Sequence, residues 1–379
     1  MSVNKQAKAI DTVVRRQYRA AMRILSVGTA VPPHHVDQDT LIAGFERLWA
    51  REHHNVRRVR QLHTAVHVGG RNLALPMDAY EQLRGFGDAN DAFIRVGLEV
   101  GAEALQRGLD GAGLGHADVD AMYTATVTGV ATPSLDARLF HRVPLRADLK
   151  RVPLFGLGCV AGAAGISRVS DYLRAWPDQI AVLLSVELCS LTLQRRDLSV
   201  ANLIASGLFG DGSAAVVCAG EARYARDFAA REAPGAPQVV ATASRMYPDS
   251  ERVMGWDIGE EGFRVVLDRS VPDVVTTWLR GDVDGFLAGH GLTRADIQSW
   301  VCHPGGPKVL KAFEQALELS AEALAVTWDS LFRVGNLSSA SVLFVLEETM
   351  RAHRPPPGSW GMMLAMGPGF CSELVLLRW

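Results

Sequence analysis

The chain has 379 residues, 48% of them hydrophobic, and a formal net charge of -2 at pH 7. This length favours two packed halves, and the near-neutral charge gives no reason to expect nucleic acid as a partner. The five cysteines have neither metal-ligand spacing nor the framework of a secreted domain, which favours a cytoplasmic protein. No stretch is long enough for a transmembrane segment.

Apolar periodicity and turn residues predict the elements of the first half. Residues 1–22 are basic without the apolar core of a secretory signal, so they are interpreted as an N-terminal extension. Residues 51–75 are predicted to be irregular and basic. The predicted elements are strands at 22–30, 119–126, 151–157, 180–186 and 214–218, and helices at 37–50, 93–114 and from Cys159 to about Ala175. This alternation is typical of an α/β fold.

The strongest break in composition lies at residues 229–237, which are rich in Ala, Pro and Gly. It divides the chain into an N-terminal half, 23–232, and a C-terminal half, 233–379. The predicted elements of the second half are strands at 239–246 and around Trp300, helices at 270–290 and from Pro307, and a hairpin-like pair at 360–378. The order of these elements echoes that of the first half.

Cys159 follows an apolar run and a glycine, and it precedes a segment of small residues predicted to be helical. A thiol in the first turn of a helix lies beside unpaired backbone N–H groups and the positive end of the helix dipole, which favours its thiolate. The same N–H groups can serve as an oxyanion hole. A buried cysteine that packs as a small apolar residue is the alternative, and it is the interpretation for Cys218 and Cys371.

His303 and Asn336 also follow apolar runs that end at glycine turns. A neutral imidazole and a carboxamide can both donate to one carbonyl oxygen, and the imidazole can hold a thiolate as an ion pair. Cysteine, histidine and asparagine together therefore suit enolate formation next to a nucleophile. Read separately, the histidine and asparagine are equally consistent with core and turn positions.

From Ile24 to the C-terminus the chain resembles the type III polyketide synthases, the chalcone synthase-like branch of the thiolase superfamily. The resemblance rests on five ordered motifs: Gly158-Cys159-Val160-Ala161-Gly162, Leu208-Phe209-Gly210-Asp211-Gly212, His303-Pro304-Gly305-Gly306-Pro307, Gly335-Asn336-Leu337-Ser338-Ser339 and Gly367-Pro368-Gly369. It implies a five-layer αβαβα thiolase-like fold with two pseudo-symmetric halves and a homodimer. It also implies that Cys159 is the nucleophile and that His303 and Asn336 are the decarboxylating pair.

The resemblance further implies residues that contact the substrates. Phe209 and Phe263 match the two aromatic residues that separate the CoA tunnel from the cavity. The Gly305-Gly306 backbone is expected to lie along pantetheine, and Lys308 is the best-placed cation for the CoA phosphates. Further cationic candidates are Arg57, Arg58 and Arg60, for which solvated surface positions are the alternative. Thr192 and Ser338 are candidates for a hydrogen-bond network that selects the type of ring closure, with a purely structural role as the alternative.

The residues predicted to line the cavity differ from the plant pattern at several positions. Thr132 stands where chalcone synthase has a methionine that reaches the partner's cavity, and Cys189 replaces a threonine. These differences resemble the bacterial alkylresorcinol and alkylpyrone synthases, which implies a long-chain acyl-CoA starter extended with malonyl-CoA and closed to a pyrone or resorcinol. A short residue at 132 would open an apolar tunnel toward the dimer interface.

Several alternatives stay open. One is a tetrahydroxynaphthalene-type synthase that starts from malonyl-CoA itself. Others are a condensing enzyme similar to ketoacyl-acyl carrier protein synthase III, a cysteine thioesterase, and an acyl-binding protein on the same scaffold. The expected partners are acyl-CoA and malonyl-CoA, with an acyl carrier protein as an alternative donor, and neither a metal nor a redox cofactor is required.

Overall fold

The computed structural model describes residues 22–50, 57–230 and 235–379. The strands are β1 Met22–Ala30, β2 His34–Asp37, β3 Gly70–Leu73, β4 Ala121–Thr126, β5 Lys150–Phe155, β6 Ile180–Leu188, β7 Asp211–Gly220, β8 Gln238–Met246, β9 Met254–Gly259, β10 Gly262–Leu267, β11 Ile297–Cys302, β12 Trp360–Gly367 and β13 Cys371–Arg378. The helices are α1 Gln38–Trp49, α2 Arg57–Ala65, α3 Phe86–Ala112, α4 Leu135–Leu139, α5 Ala161–Ala175, α6 Val200–Leu208, α7 Glu221–Asp227, α8 Val271–Ala288, α9 Pro307–Leu317, α10 Ala325–Val334 and α11 Ser341–Ala352.

Nine strands form one sheet in the order β11-β12-β13-β8-β1-β7-β6-β4-β5. In the first half, β1, β7 and β6 are antiparallel neighbours, and β4 then runs parallel to β6. In the second half, β8, β13 and β12 are antiparallel neighbours, and β11 then runs parallel to β12. The two halves therefore repeat one strand pattern, and they join where β1 pairs with β8.

Three hydrophobic clusters fill the spaces between the layers of helices and strands. The central cluster contains apolar side chains of α5 and α11 between strands of both halves, including Ile166, Leu343 and Val375. A second cluster packs α3 on the outer face of the first-half strands, and a third packs α8 and α9 on the outer face of the second-half strands. This arrangement is the expected five-layer αβαβα thiolase-like fold.

The two central helices approach each other closely at their N-termini. A Cβ atom added to Gly162 in α5 would lie 2.6 Å from Val342 Cγ1 and would also collide with the carbonyl oxygen of Ser339. Only glycine fits at this crossing. The small residues after Cys159 thus bring the segment that carries Asn336 next to the thiol.

The interpretation of residues 51–75 as irregular was wrong where the structure describes them, because α2 and β3 lie there. Helix α2 is short and rich in arginine, but it buries Val59 and His63 on one face. The basic extension falls outside the described residues except for Met22, which is fully buried in β1. The boundary at 232 and 233 also falls outside them, and no helix that the structure describes has the length and apolarity to cross a bilayer.

Candidate active site

Cys159 lies in a short 3-10 turn, Gly158–Val160, directly before α5. Gly158 adopts a φ of 57°, and a Cβ there would lie 2.7 Å from the ring of Pro368, so the turn packs against the Gly367-Pro368-Gly369 motif. The side chain of Cys159 is buried, with 7% exposure, and its thiol donates to Ser338 Oγ at 3.7 Å. The thiol therefore has the predicted position at the start of a helix.

His303 follows β11 directly, and its backbone N–H donates to the Leu364 carbonyl oxygen of β12 at 2.8 Å. The side chain is 3% exposed, and its Nδ1 atom has no hydrogen-bond partner among the described residues. A buried polar atom without a partner is costly unless a ligand or water completes it. The imidazole thus has an unused donor or acceptor position.

Asn336 has a fixed side-chain orientation. Its Oδ1 accepts from the Ser338 N–H at 2.8 Å and from Ser341 Oγ at 3.4 Å, and its Nδ2 donates to the Gly305 carbonyl oxygen at 3.4 Å. Because both acceptor contacts occupy the oxygen, the NH₂ group points toward the His303 loop. The long contact to Gly305 leaves donor capacity for a substrate oxygen.

Hydrogen bonds connect the predicted triad. Ser338 contacts both Cys159 Sγ and Asn336 Oδ1, and Gly305, which accepts from Asn336, donates its N–H to the His303 carbonyl oxygen at 2.9 Å. Ser338 has a φ of 49°, a left-handed conformation that is uncommon for a residue other than glycine. The structure thus links three segments that are far apart in sequence.

Burial controls the protonation of the nucleophile and the imidazole. It raises the pKa of Cys159 to about 12, partly offset by the Ser338 hydrogen bond, and it lowers the pKa of His303 to about 3. Both groups are therefore neutral near pH 7 in the described state. These shifts oppose the resting thiolate–imidazolium pair predicted from the sequence, because burial disfavours both charges.

A buried carboxyl group, Glu187, lies near the thiol at the end of β6. Its oxygens accept from Thr128 Oγ1 at 2.8 Å, from the Val127 N–H at 3.1 Å and from Ser339 Oγ. Burial raises the pKa of Glu187 to about 7, although these hydrogen bonds oppose the shift, and its charge contributes to the raised pKa of Cys159. Glu187 was not predicted from the sequence, although a lone acidic residue in an otherwise apolar strand is a detectable signal.

A cavity of about 540 Å³ reaches Phe209, the backbone neighbour of Asn336, and the three triad side chains are not on its described wall. Of the predicted residues, Cys189, Thr192 and Phe209 line its wall. Phe209 is connected to the triad, because its backbone pairs with that of Asn336 in a single parallel β-bridge. Burial is the main cause that raises the pKa of Cys189, and the charges of Glu187 and Asp211 raise it further.

The second predicted gate residue, Phe263, is not on the described wall of this cavity. It is 3% exposed in β10 and packs its ring against Phe86 and Trp256, with centroid distances of 5.5 Å and 6.1 Å. Trp256 of β9 lines the cavity instead, with its ring 6.4 Å from that of Phe209. Thr132 is exposed on the surface of this chain, so its predicted contact with a partner's cavity stays a prediction.

A second cleft, of about 800 Å³, opens at the start of α9. Lys308, Lys311, His67 and Trp328 contribute to its wall, and Lys308 is exposed. Gly305 and Gly306 lie on the loop between His303 and this cleft. Of the arginine candidates, Arg57 and Arg58 are exposed. Arg60 forms a bidentate ion pair with Glu46, in which its Nε and Nη2 atoms donate to the two carboxylate oxygens at 3.0 Å and 2.7 Å.

Two family descriptions match this chain, "Chalcone and stilbene synthases, N-terminal domain" over residues 10–222 and "Chalcone and stilbene synthases, C-terminal domain" over residues 238–379. The chain belongs to this family. It is a type III polyketide synthase, an acyltransferase that condenses acyl-CoA with malonyl-CoA through decarboxylation. The fold and the family that the motifs predicted are thereby confirmed.

Individual relatives give a finer comparison. A 1,3,6,8-tetrahydroxynaphthalene synthase of Streptomyces peucetius subsp. caesius is 55% identical over 356 residues, which are 94% of this chain and 93% of that protein. A putative chalcone synthase of Bacillus subtilis is 34% identical over 94% of this chain and 98% of that protein. The crystal structure of 1,3,6,8-tetrahydroxynaphthalene synthase from Streptomyces coelicolor superimposes with a TM-score of 0.87 at 28% identity, covering 94% of this chain and 99% of that one. Two of these three relatives are 1,3,6,8-tetrahydroxynaphthalene synthases.

Proposed function

We propose that this protein makes 1,3,6,8-tetrahydroxynaphthalene from malonyl-CoA as both starter and extender. The 55% identity to a synthase of that name, over 94% of the chain, is the observation that carries the proposal. The site contains the groups that such a reaction needs, a buried thiol, a buried imidazole and an oriented carboxamide.

In the first step, Cys159 receives the starter. The neutral thiol transfers its proton to His303 as the sulfur attacks the thioester carbonyl, and the departing CoA thiolate takes that proton back. Such a transfer avoids a resting ion pair in a buried site, consistent with the pKa values of both groups. Backbone N–H groups of the turn that carries Cys159 are the donors proposed for the developing oxyanion.

In the extension step, a second malonyl-CoA loses CO₂. The electrons of the broken C–C bond form an enolate, whose oxygen accepts hydrogen bonds from His303 and from Asn336 Nδ2. Donors of this kind are worth about 3 kcal/mol each where water is excluded. The enolate carbon then attacks the acyl group on Cys159, so a C–C bond forms and the C–S bond breaks.

The proposed product has ten skeletal carbons, which correspond to five two-carbon units. Five malonyl-CoA molecules give one tetrahydroxynaphthalene, five CoA, five CO₂ and one water, so carbon, oxygen and hydrogen balance without an oxidant. Two ring closures within the poly-β-keto chain complete the skeleton.

A second candidate is priming by an acyl chain, as in the alkylpyrone synthases. The cavity favours it, because Leu41, Phe45, Leu73, Leu193 and Val265 give it apolar walls. Each buried CH₂ group would contribute about 0.8 kcal/mol. Both candidates share the triad and differ in the starter and in the ring that finally closes.

The test is an incubation of the purified protein with malonyl-CoA alone and, in parallel, with malonyl-CoA plus acyl-CoA thioesters of increasing length. Product masses from the first reaction should match tetrahydroxynaphthalene and its air-oxidised quinone. If polyketides form only when an acyl-CoA is present, the malonyl-primed proposal is wrong and the second candidate stands.

A further inference from the structure

One wall of the cavity carries a pair of hydroxyl groups in contact with each other. Tyr80 and Ser190 line the cavity, and Arg71 lies on the same wall. Tyr80 comes from the 3-10 turn Met77–Gln82, and Ser190 comes from the turn Cys189–Thr192 after β6. Neither hydroxyl belongs to the triad or to the Glu187 network described above.

The two hydroxyls form a relay that ends on a buried carboxylate. Ser190 donates its hydroxyl to Asp211, which also accepts from the Ser190 N–H at 2.8 Å and the Ala74 N–H at 2.5 Å. Because the only hydroxyl proton of Ser190 is committed to Asp211, the contact between Tyr80 and Ser190 has Tyr80 as its donor. The phenol oxygen of Tyr80 accepts a long contact of 3.3 Å from the Leu75 N–H, which leaves capacity for an acceptor contact with a ligand.

Arg71 is a buried cation whose charge acts on Asp211. It is 2% exposed, donates to Gln38 Oε1 at 3.1 Å and to carbonyl oxygens at the end of α6, and its Nε has no partner among the described residues. Burial raises the pKa of Asp211 to about 6, against the hydrogen bonds from Ser190 and Ala74 and a smaller effect of the Arg71 charge, which all lower it. Asp211 is therefore ionised near pH 7 and remains an acceptor for Ser190.

We propose that Tyr80 and Ser190 form a subsite for the far end of a poly-β-keto chain, where the Tyr80 oxygen accepts from an enol hydroxyl of the chain. This inference rests on the proposed function, since the ligand is the chain that the triad builds. A polyketide made only from malonyl units has enolisable oxygens along its length, whereas an alkyl starter has none at its far end. The relay therefore favours a fully oxygenated chain over an alkyl chain in this part of the cavity.

Holding the far end controls how long the chain grows before it cyclises. A short poly-β-keto chain closes spontaneously to a lactone when its end is free, so a bound end delays closure until the chain is complete. Tyr80 and Ser190 are thus positioning residues that act on chain length and leave bond formation to the triad.

The test compares Tyr80→Phe with Tyr224→Phe, a matched control on α7 that lies outside the cavity wall. With malonyl-CoA alone, the ratio of the full-length aromatic product to short lactones should fall about five-fold in Tyr80→Phe, as expected for the loss of one hydrogen bond. The control should keep the wild-type ratio. Turnover primed by octanoyl-CoA should stay within about two-fold of wild type in both variants, because an alkyl chain makes no such bond.

Ser190→Ala is a second variant, which removes the relay and retains the phenol. It should lower the same product ratio, and circular dichroism should show wild-type folding in all variants used. An unchanged ratio in Tyr80→Phe and Ser190→Ala, or an equal fall in malonyl-primed and octanoyl-primed turnover, would overturn the subsite. The identity of the wild-type product tests the proposed function separately, because the ratio of longest product to short lactones can be read for any malonyl-only polyketide.

Discussion

At the scale of single residues, Cys159 is distinguished from the other cysteines by its position. All five are buried, but Cys159 lies at a helix start and contacts Ser338, whereas Cys218 lies within strand β7. We expect Cys159→Ala to lower product formation by at least about a thousand-fold, because no other group replaces the nucleophile. Product formation from malonyl-CoA, read by liquid chromatography, measures this loss.

Cys218→Ala is the matched control. It removes a fully buried thiol from the central cluster, so it should cost some stability and leave the rate nearly unchanged. A Cys159→Ala protein with wild-type rates, or a Cys218→Ala protein that folds and is inactive, would contradict the assignment of the nucleophile.

Asn336 has a narrower role, which its variant should reveal. Replacement by Ala removes the Nδ2 donor and should slow the decarboxylation of malonyl-CoA by about a hundred-fold, which corresponds to about 3 kcal/mol. Acylation of Cys159 should be much less affected, because the helix start supplies that oxyanion contact. Release of labelled CO₂ and intact-protein mass separate the two steps, and an equal loss of both would argue against a donor specific to the enolate.

Glu187 makes stability depend on pH. Its pKa is about 7 in the folded protein and near the ordinary 4.5 when unfolded, so the folded state holds this proton more tightly. The stabilisation is complete below about pH 4.5 and is lost as the pH rises through 7. Relative to Glu187→Gln, the free energy of unfolding of the wild type should fall by about 3 kcal/mol across that window. Urea unfolding of both proteins at about pH 5 and pH 8 measures this difference, and a constant difference would show that burial does not shift this group.

At the scale of elements, the contact between α5 and α11 positions the site. Gly162→Ala should destabilise the protein by about 1–3 kcal/mol, because the new Cβ collides with Ser339 and Val342. It should also lower the rate, since Cys159 and Asn336 precede the two helices that would separate. Thermal unfolding and turnover measure the two effects.

Gly281→Ala provides the control within α8. A Cβ there meets nothing within 4 Å, so the change should be neutral or slightly stabilising. Equal effects of the two substitutions would mean that the close approach of the central helices does not hold the site together.

Sequence patterns predicted the elements around the triad well, because long buried strands and glycine turns leave clear periodicity. The stretch from Arg57 to Leu73 was missed, because a short helix with a narrow buried face looks like an irregular basic segment. The cavity wall was predicted only in part. Trp256 and Tyr80 come from a two-stranded ribbon and a 3-10 turn, whose orientation depends on packing against distant elements.

At the scale of the whole molecule, the two halves share one core. The central cluster includes α5, α11 and strands of both halves, and β1 pairs directly with β8. We therefore expect a single cooperative unfolding transition, in which far-ultraviolet circular dichroism and tryptophan fluorescence coincide. Two separated transitions would show that the halves fold as independent domains.

The most direct test of the central claim is to find where malonyl-derived carbon is attached to the protein. After brief mixing with labelled malonyl-CoA and acid quenching, peptide mass spectrometry should locate the label on the peptide that contains Cys159, in wild type and not in Cys159→Ala. Asn336→Ala should retain a malonyl adduct that has not been extended. Label on another cysteine, or product formation without any adduct on Cys159, would contradict the account.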